Sequence, residues 1–306
     1  MSRRGALLGG VAAALAGMAV PASFAASVPA RSDGQIVTLD WALAATLMEM
    51  GLQPVGVPAP RWYDRIVVEP ALPDDVVDVG LLFTPNFELL QQMAPGLILI
   101  GPGLRSAEPM LRRIAPVAMF ALAAPGPKPY GRAEEQTLAL ADQLGRRAAG
   151  ERFIADVADQ LAAARRHLAG RQRRPLCVAS LVDDRHVRIF GGDGLFHDVL
   201  DRLGLIDAGA ELVPHGEAAT LGLTQLAGLP DVELLCVAAP GAAAAGMALM
   251  ESPIWQAMPF ARRGRVSFIP SVSTASALPG ALRFARLVQE AFATAKLGRS
   301  PESSRE

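Results

Sequence analysis

Residues 152–168 read RFIADVADQLAAARRHL, a run in which apolar residues return every three or four positions. This spacing places them on one face of an amphipathic helix, with arginine and aspartate residues on the other faces. At about 1.5 Å of rise per residue, about twenty helical residues reach roughly 30 Å, the width of a small domain. The run therefore predicts one rigid helix long enough to join two lobes. Its apolar face consists of Phe153, Val157, Leu161, Ala164 and Leu168.

Short β-branched runs alternate with longer stretches of helical period on both sides of this helix. The pattern predicts an α/β fold with helices packed around mainly parallel sheets. The predicted strands cover residues 36–39, 55–57, 76–79, 97–100 and 117–120 before the helix, and 176–181, 187–189, 234–237 and 266–269 after it. A Pro/Gly-rich piece at 124–131 marks the boundary. We expect an N-terminal lobe at 33–131, a helical region at 132–170, a C-terminal lobe at 174–296 and a disordered tail at 297–306.

At two places a serine or threonine directly precedes a proline, and each pair predicts the start of a helix. The side-chain hydroxyl can cap the first turn, and proline suits the first helical position. Thr84 and Pro85 would begin a helix through residues 86–93. Ser252 and Pro253 repeat the arrangement further along the chain.

The N-terminus is typical of a targeting segment. Arg3 and Arg4 precede an uncharged run at residues 5–20, and small residues end at Ala25. We expect a signal peptide over residues 1–25, exported by the twin-arginine or the general secretory route. An uncleaved membrane anchor fits less well, because proline ends the apolar run short of the roughly 20 residues that a span needs. No cysteine follows as a site for a lipid anchor, so a freely diffusing periplasmic protein is expected.

Composition argues against several other classes of protein. A net charge of -1 and a pI near 6.5 provide no basic surface for nucleic acid. Cys177 and Cys236 lie in apolar runs and are predicted to be free and buried. A disulfide between them is the alternative in an oxidising compartment. The four histidines form no metal-ligand motif, so no metal site is expected. No nucleophile elbow, P-loop or dinucleotide motif is present, and no enzyme is expected.

Motifs with a common resemblance are distributed along most of the chain: DVG at 78–80, TPNFELL at 84–90, MAP at 93–95, SPIWQAMP at 252–259 and LRFARL at 282–287. They resemble those of the periplasmic iron-siderophore and cobalamin binding proteins. EPALP at 69–73 and the runs around His186 and Asp198 narrow the resemblance to the ferric hydroxamate, or ferrichrome, type. The resemblance extends from about residue 35 to residue 293.

The resemblance implies a class III periplasmic binding protein fold, in which one long α-helix bridges two Rossmann-like lobes above a shallow cleft. It implies a monomeric substrate-binding protein of an ABC importer that captures a ferric siderophore and delivers it to an inner-membrane permease with its ATPase. Iron would enter only within the chelate, and no cofactor is expected. Two alternatives stay open: a receptor of the same fold for cobalamin or haem, and a non-transport sensor or interaction protein with a degenerate pocket.

The ligand-contacting positions depart from the family pattern. The family's hydroxamate-gripping arginine falls at Leu82 and its tyrosine partner at Leu104. A leucine supplies neither charge nor a hydrogen bond to an oxygen-rich ligand. The family's pocket aromatics fall at Ile66, Gly216, Ser273 and Ala275.

Several other residues could furnish a replacement pocket. Arg105 could restore a cation to the pocket, or it could be a solvated charge on a loop. The tryptophans and the tyrosine could contact the ligand or pack in the core. The candidates are Trp41, Trp62, Tyr63, Phe83, Arg105 and His215.

Permease docking in the resembled family uses one acidic residue on each lobe. Glu108 lies next to the matching place on the first lobe, and Thr224 occupies the matching place on the second. Half of that electrostatic pair is therefore absent.

Overall fold

The computed structural model describes residues 35–293, apart from positions 125, 173, 230 and 242. The expected signal peptide at 1–25 and the expected tail at 297–306 lie outside the described residues. Among the helices that are described, none is both long and apolar enough to cross a membrane.

The N-terminal lobe is built on five parallel strands. Its elements are β1 (Ile36–Thr38), α1 (Trp41–Glu49), β2 (Gly56–Val57), α2 (Pro60–Ile66), β3 (Val77–Asp78), β4 (Gly80–Leu81), β5 (Thr84–Pro85), α3 (Phe87–Met93), β6 (Leu97–Ile100), a 3-10 helix (Pro102–Ala107), α4 (Glu108–Leu111) and β7 (Val117–Met119). The strand order is β3-β2-β1-β6-β7. The strand predicted at 97–100 is confirmed at its bounds, and each other run contains a slightly shorter strand.

The predicted start of α3 is wrong. Thr84 and Pro85 form β5, which pairs antiparallel with β4 in a short hairpin. The helix is capped instead by Asn86, whose side-chain oxygen accepts a hydrogen bond from the Leu89 N–H at 3.0 Å. The Ser252 cap is confirmed, because its hydroxyl accepts from the Trp255 N–H at 3.2 Å.

Two helices connect the lobes: α5 (Pro129–Gln143) and α6 (Arg147–Leu168). The predicted apolar face of α6 is confirmed, since all of its members are buried. They pack in one core with Leu43 and Leu99 of the N-terminal lobe and with Val178 and Leu235 of the C-terminal lobe. The helix therefore bridges the lobes through a continuous apolar core.

The C-terminal lobe carries a mixed five-stranded sheet. Its elements are β8 (Leu176–Leu181), β9 (His186–Phe190), α7 (Leu195–Arg202), α8 (Gly209–Leu212), β10 (Ala218–Gly222), a 3-10 helix (Leu223–Gly228), β11 (Glu233–Val237), α9 (Ala243–Glu251), α10 (Pro253–Ala257), α11 (Pro259–Arg262), β12 (Val266–Ile269), a 3-10 helix (Thr274–Ser276) and α12 (Ala277–Ala293). The order is β10-β9-β8-β11-β12, and β9 and β10 are antiparallel additions to a parallel β8-β11-β12 set. All four predicted strands are present, while β10 was not predicted. Cys177 and Cys236 are buried and free, as expected.

Candidate ligand cleft between the lobes

The candidate site lies where the carboxyl ends of β1 and β6 meet. The two strands are neighbours in the sheet, although the chain builds β2 and β3 on one side of β1 before it crosses to β6. Such a switch point in a parallel sheet leaves a crevice in which ligands bind. Asp40 and Trp41 follow β1 at this edge, and Gly101 follows β6.

Two adjoining hollows occupy this edge, of about 540 and about 550 Å³. They share Trp41, Leu82 and Phe83, so they form one continuous cleft. The first hollow is also lined by Ala123 from the connecting segment and by Ala275 from the C-terminal lobe, which places it between the lobes. Its remaining lining residues are Leu39, Asp40, Gly101, Gly103 and Leu104, and those of the second hollow are Ala59, Trp62, Leu81 and Thr84.

Asp40 is the charged residue in the lining of the first hollow. It caps α1, because its Oδ1 accepts a hydrogen bond from the Leu43 N–H at 3.1 Å. Burial raises the pKa of this carboxyl, while the N–H groups of Leu43 and Ala42 act in the opposite direction. A β-carbon at Gly101 would collide with the second carboxylate oxygen. The absence of a side chain at position 101 is therefore what gives the carboxylate its place in the cleft.

The aromatic side chains divide into anchored and exposed groups. Trp41 is held in place because its indole N–H donates to the Pro58 carbonyl at 2.8 Å and its ring meets Tyr63 edge-on at 6.3 Å. Trp62 and Phe83 are 49% and 73% exposed, so each presents an apolar ring to a ligand. The guanidinium of Arg65 lies over the Trp62 ring, 5.4 Å from its centre.

A narrower crevice continues the cleft towards the C-terminal lobe and shares Ala123 with the first hollow. Asp193 and Glu217 contribute carboxylates to its lining. Asp193 accepts from the Gly216 N–H at 2.7 Å, and Glu217 accepts from the Thr274 hydroxyl. The crevice therefore adds acidic groups on the side of the cleft opposite Asp40.

The sequence profile of the periplasmic binding protein family matches residues 36–272, most of the described chain. This chain belongs to that family. Its expected resemblance to iron-siderophore receptors is confirmed as well. The iron(3+)-hydroxamate-binding protein FhuD of Escherichia coli K12 is 34% identical over 258 residues, which cover 84% of this chain and 86% of that protein.

Two solved structures of proteins bound to siderophores share the fold. FhuD from Vibrio cholerae bound to Fe3+-Desferal superposes with a TM-score of 0.77 at 22% identity, over 85% of this chain and 97% of that one. Staphylococcus aureus SirA complexed with staphyloferrin B gives a TM-score of 0.64 at 16% identity, over 86% and 93% of the respective chains. These similarities confirm the predicted class III fold of two lobes bridged by one long helix.

Half of the candidate positions named from the sequence line the cleft of this periplasmic binding protein. Leu82 and Leu104, which the sequence predicts to match the family's arginine and tyrosine, are among them, so both positions present apolar side chains to the cleft. The lining members are Trp41, Trp62, Leu82, Phe83, Leu104 and Ala275.

The other candidate positions lie outside the lining of the two hollows. Tyr63 is buried in the core, and its hydroxyl donates to the Pro70 carbonyl at 2.8 Å, so it serves packing. Ser273 is buried, and its hydroxyl accepts from the Ala275 N–H at 3.1 Å. Arg105 is exposed on the 3-10 helix after β6. The other three of these positions are His215 and Gly216, both exposed near Asp193, and half-buried Ile66.

The two expected docking positions occupy separate lobes. Glu108 begins α4 and forms an ion pair with Arg112 at 2.6 Å. Thr224 is exposed on the 3-10 helix that follows β10. Among the described residues, no group of three or more histidine, cysteine or acidic side chains could hold a metal ion.

Sequence reasoning missed the three carboxylates of the cleft. Asp40 carried a usable signal, since an aspartate between a buried strand and a helix is typical of a cap at the carboxyl edge of a sheet. Asp193 and Glu217 carried no such signal. They approach the cleft because separate loops of the C-terminal lobe fold together there.

Proposed function

We propose that the chain is the periplasmic substrate-binding component of an ABC importer, which captures a ferric siderophore in the cleft between its lobes. The supporting observation is the cleft at the β1–β6 switch point, lined from both lobes, in a chain 34% identical to a ferric hydroxamate-binding protein. The protein would deliver its cargo to an inner-membrane permease and its ATPase. It would catalyse no reaction, and iron would be present only within the bound chelate.

The ligand-contacting residues in this proposal are those that line the two hollows. Trp62 and Phe83 offer exposed rings to the apolar periphery of a chelate, and Leu82 and Leu104 line the apolar wall. Glu108 and Thr224 would face the permease, on separate lobes. Because Thr224 supplies no charge, we expect the N-terminal lobe to carry more of the docking electrostatics.

Tryptophan fluorescence offers a direct test of cargo binding. Trp41 and Trp62 line the cleft, whereas Trp255 is buried in the core of the C-terminal lobe. The protein is titrated separately with ferric siderophores, cobalamin and haem. We expect the tryptophan emission to change when a ferric siderophore is added. The change should be reduced in Trp62→Phe, in which Trp41 still reports on the cleft, and fully retained in Trp255→Phe. A response to cobalamin or haem alone would reassign the cargo, and no response to any ligand would favour a sensor or interaction protein.

Export is the second part of the proposal. The match to the periplasmic binding protein family supports export, and the sequence predicts cleavage after Ala25. Mass spectrometry of a periplasmic fraction should find a chain that begins at Ala26. An intact N-terminus in the membrane fraction would contradict this part alone.

A further inference from the structure

Formal charge in the lining of the cleft is carried by acidic groups. Asp40, Asp193 and Glu217 line the two hollows and the adjoining crevice, and no lysine or arginine is among the lining residues that the structure describes. The whole chain is nearly balanced, with 29 basic and 30 acidic residues. The acidic character is therefore a local property of the cleft and does not follow from composition.

Asp40 is held in the wall of the first hollow, because its carboxyl accepts a hydrogen bond from the Leu43 N–H at the start of α1. Burial raises the pKa of this carboxyl, and the first-turn N–H groups of Leu43 and Ala42 oppose that rise by stabilising its negative charge. Leu39, Leu82, Leu104 and the ring of Trp41 line the same hollow. Apolar walls reduce the screening of this charge by water. A charge carried by a ligand would therefore interact strongly with Asp40.

Nearby cations are engaged elsewhere or lie outside the lining. The guanidinium of Arg65 stacks on the ring of Trp62 at the second hollow. Arg132 donates to the carbonyl oxygens of Ala124 and Pro127 beside the crevice. Arg105 is exposed on its 3-10 helix. A negatively charged ligand would thus meet carboxylates without a compensating cation in the lining.

We propose that the cleft selects ferric chelates by net charge, admitting neutral and cationic chelates and disfavouring anionic ones, with Asp40 as the specificity-determining residue. This inference rests on the proposed function, because it concerns the same cleft. It also accounts for leucine at the position of the family's arginine, since a cation there would pair with Asp40 and remove the selectivity.

A charge series on one iron centre tests the inference. Ferric desferrioxamine B carries a free amine and a net charge of about +1 at neutral pH, its N-acetyl derivative is neutral, and its N-succinyl derivative is negatively charged. Two unit charges about 10 Å apart at an effective dielectric constant near 20 alter affinity by about tenfold. In low salt, the protein should bind the cationic chelate at least about tenfold more tightly than the anionic one.

The matched variants are Asp40→Asn and Asp159→Asn. Asparagine at position 40 can still accept from the Leu43 N–H, so the helix cap is kept while the charge is removed. We expect this variant to reduce the cationic-to-anionic ratio to about threefold or less. Asp159 is exposed on α6 and away from the cleft, so its variant should retain the full ratio.

Each outcome of the series decides a separate point. Equal wild-type affinities for the three chelates, or the highest affinity for the anionic one, would overturn charge selection even if Asp40→Asn failed to fold. A full ratio in folded Asp40→Asn would remove Asp40 from the role. Failure of a folded wild-type protein to bind all three chelates would instead count against the proposed function, and charge selection would fall with it.

Discussion

Glu69 of the N-terminal lobe pairs with Arg283 of α12 at 2.5 Å, 214 positions further along the chain. Arg286, one turn along the same helix, binds the other oxygen of the Glu69 carboxylate, also at 2.5 Å. Only 7% of the Arg283 side chain is exposed, and its Nε donates to the Ser271 carbonyl at 3.0 Å. Together with the hydrogen bond from the Ser271 hydroxyl to the Ile66 carbonyl, the pair connects the two lobes.

Glu69→Gln should therefore destabilise the whole protein, because it leaves the buried guanidinium of Arg283 without its counter-charge. The loss should be about 1–3 kcal/mol in the free energy of unfolding, allowing for the half-exposed Glu69 carboxylate. Denaturant unfolding measures the change. Glu151→Gln is the control, because its pair with Arg147 is exposed on both sides and should contribute less than about 1 kcal/mol. Equal effects of the two substitutions would contradict the importance of the interlobe pair.

The same pair predicts a pH dependence. Partial burial alone would raise the pKa of Glu69, but the hydrogen bonds and charges of Arg286 and Arg283 hold that pKa below its usual value. The stabilisation is complete above the ordinary glutamate pKa of about 4.3 and is lost as the pH falls through the lower folded value. The difference in stability between wild type and Glu69→Gln should therefore be constant near neutral pH and shrink below about pH 4. A stability difference between wild type and Glu69→Gln that grows on acidification would contradict a lowered pKa of Glu69.

Leu82→Arg should increase affinity for ferrichrome, a neutral ferric hydroxamate. Position 82 lines both hollows. The sequence predicts that it matches the position at which the resembled family carries its hydroxamate-gripping arginine. A charge-assisted hydrogen bond is worth about 1.5–3 kcal/mol, so calorimetry should show a gain of about tenfold or more over weak wild-type binding. Met110→Arg, which adds the same charge on an exposed position of α4, should change little. Submicromolar binding of ferrichrome by the wild type would show that Leu82 is no obstacle.

Gly101→Ala should weaken both stability and ligand binding. The new β-carbon would collide with the Asp40 carboxylate, so the helix cap or the backbone after β6 must move. We expect a loss of about 1–3 kcal/mol in the free energy of unfolding. Gly131→Ala, on α5 with open space around the new methyl group, should be neutral or stabilise by up to about 1 kcal/mol. A stable Gly101→Ala with unchanged affinity would show that Asp40 can be displaced without consequence.

Cys177 and Cys236 should be unreactive in the native protein. Burial raises the pKa of both thiols, to about 12 for Cys236, so the reactive thiolate is scarce at pH 8. A thiol reagent should count about none before denaturation and two after it, without added reductant. A count of zero in denatured monomeric protein would mean that the two strands carry a disulfide.

The elements that the sequence predicted are those whose pattern is set by burial. The strand at 97–100 and the apolar face of α6 were placed correctly because every residue concerned is buried. β10 escaped notice because its residues Ala218–Gly222 are only partly buried and include a single β-branched side chain. Thr84 was misassigned because both Thr84 and Asn86, two residues later, are plausible caps. The pairing of β5 with β4 decides between them.

The candidate site was predictable where its residues could be located by local sequence motifs. Leu82, Leu104 and Ala275 were located through motifs, and all three line the cleft. Tyr63 could not be distinguished from its neighbour Trp62 by sequence, because adjacent positions on α2 point one ring into the core and the other into the cleft. Asp193 and Glu217 reach the cleft through contacts between separate loops, which no local pattern records.

The core that α6 shares with both sheets also has a consequence for how the molecule unfolds. Leu43 and Leu99 from one lobe and Val178 and Leu235 from the other belong to a single packed cluster, so neither sheet can lose its structure without exposing side chains of its partner. Heating should give one calorimetric transition in place of two. An excised lobe would carry a bare apolar face and aggregate. Exchange of one lobe between homologues would therefore require matched changes along α6 and α12, which makes the two-lobed unit the smallest piece that recombination could move.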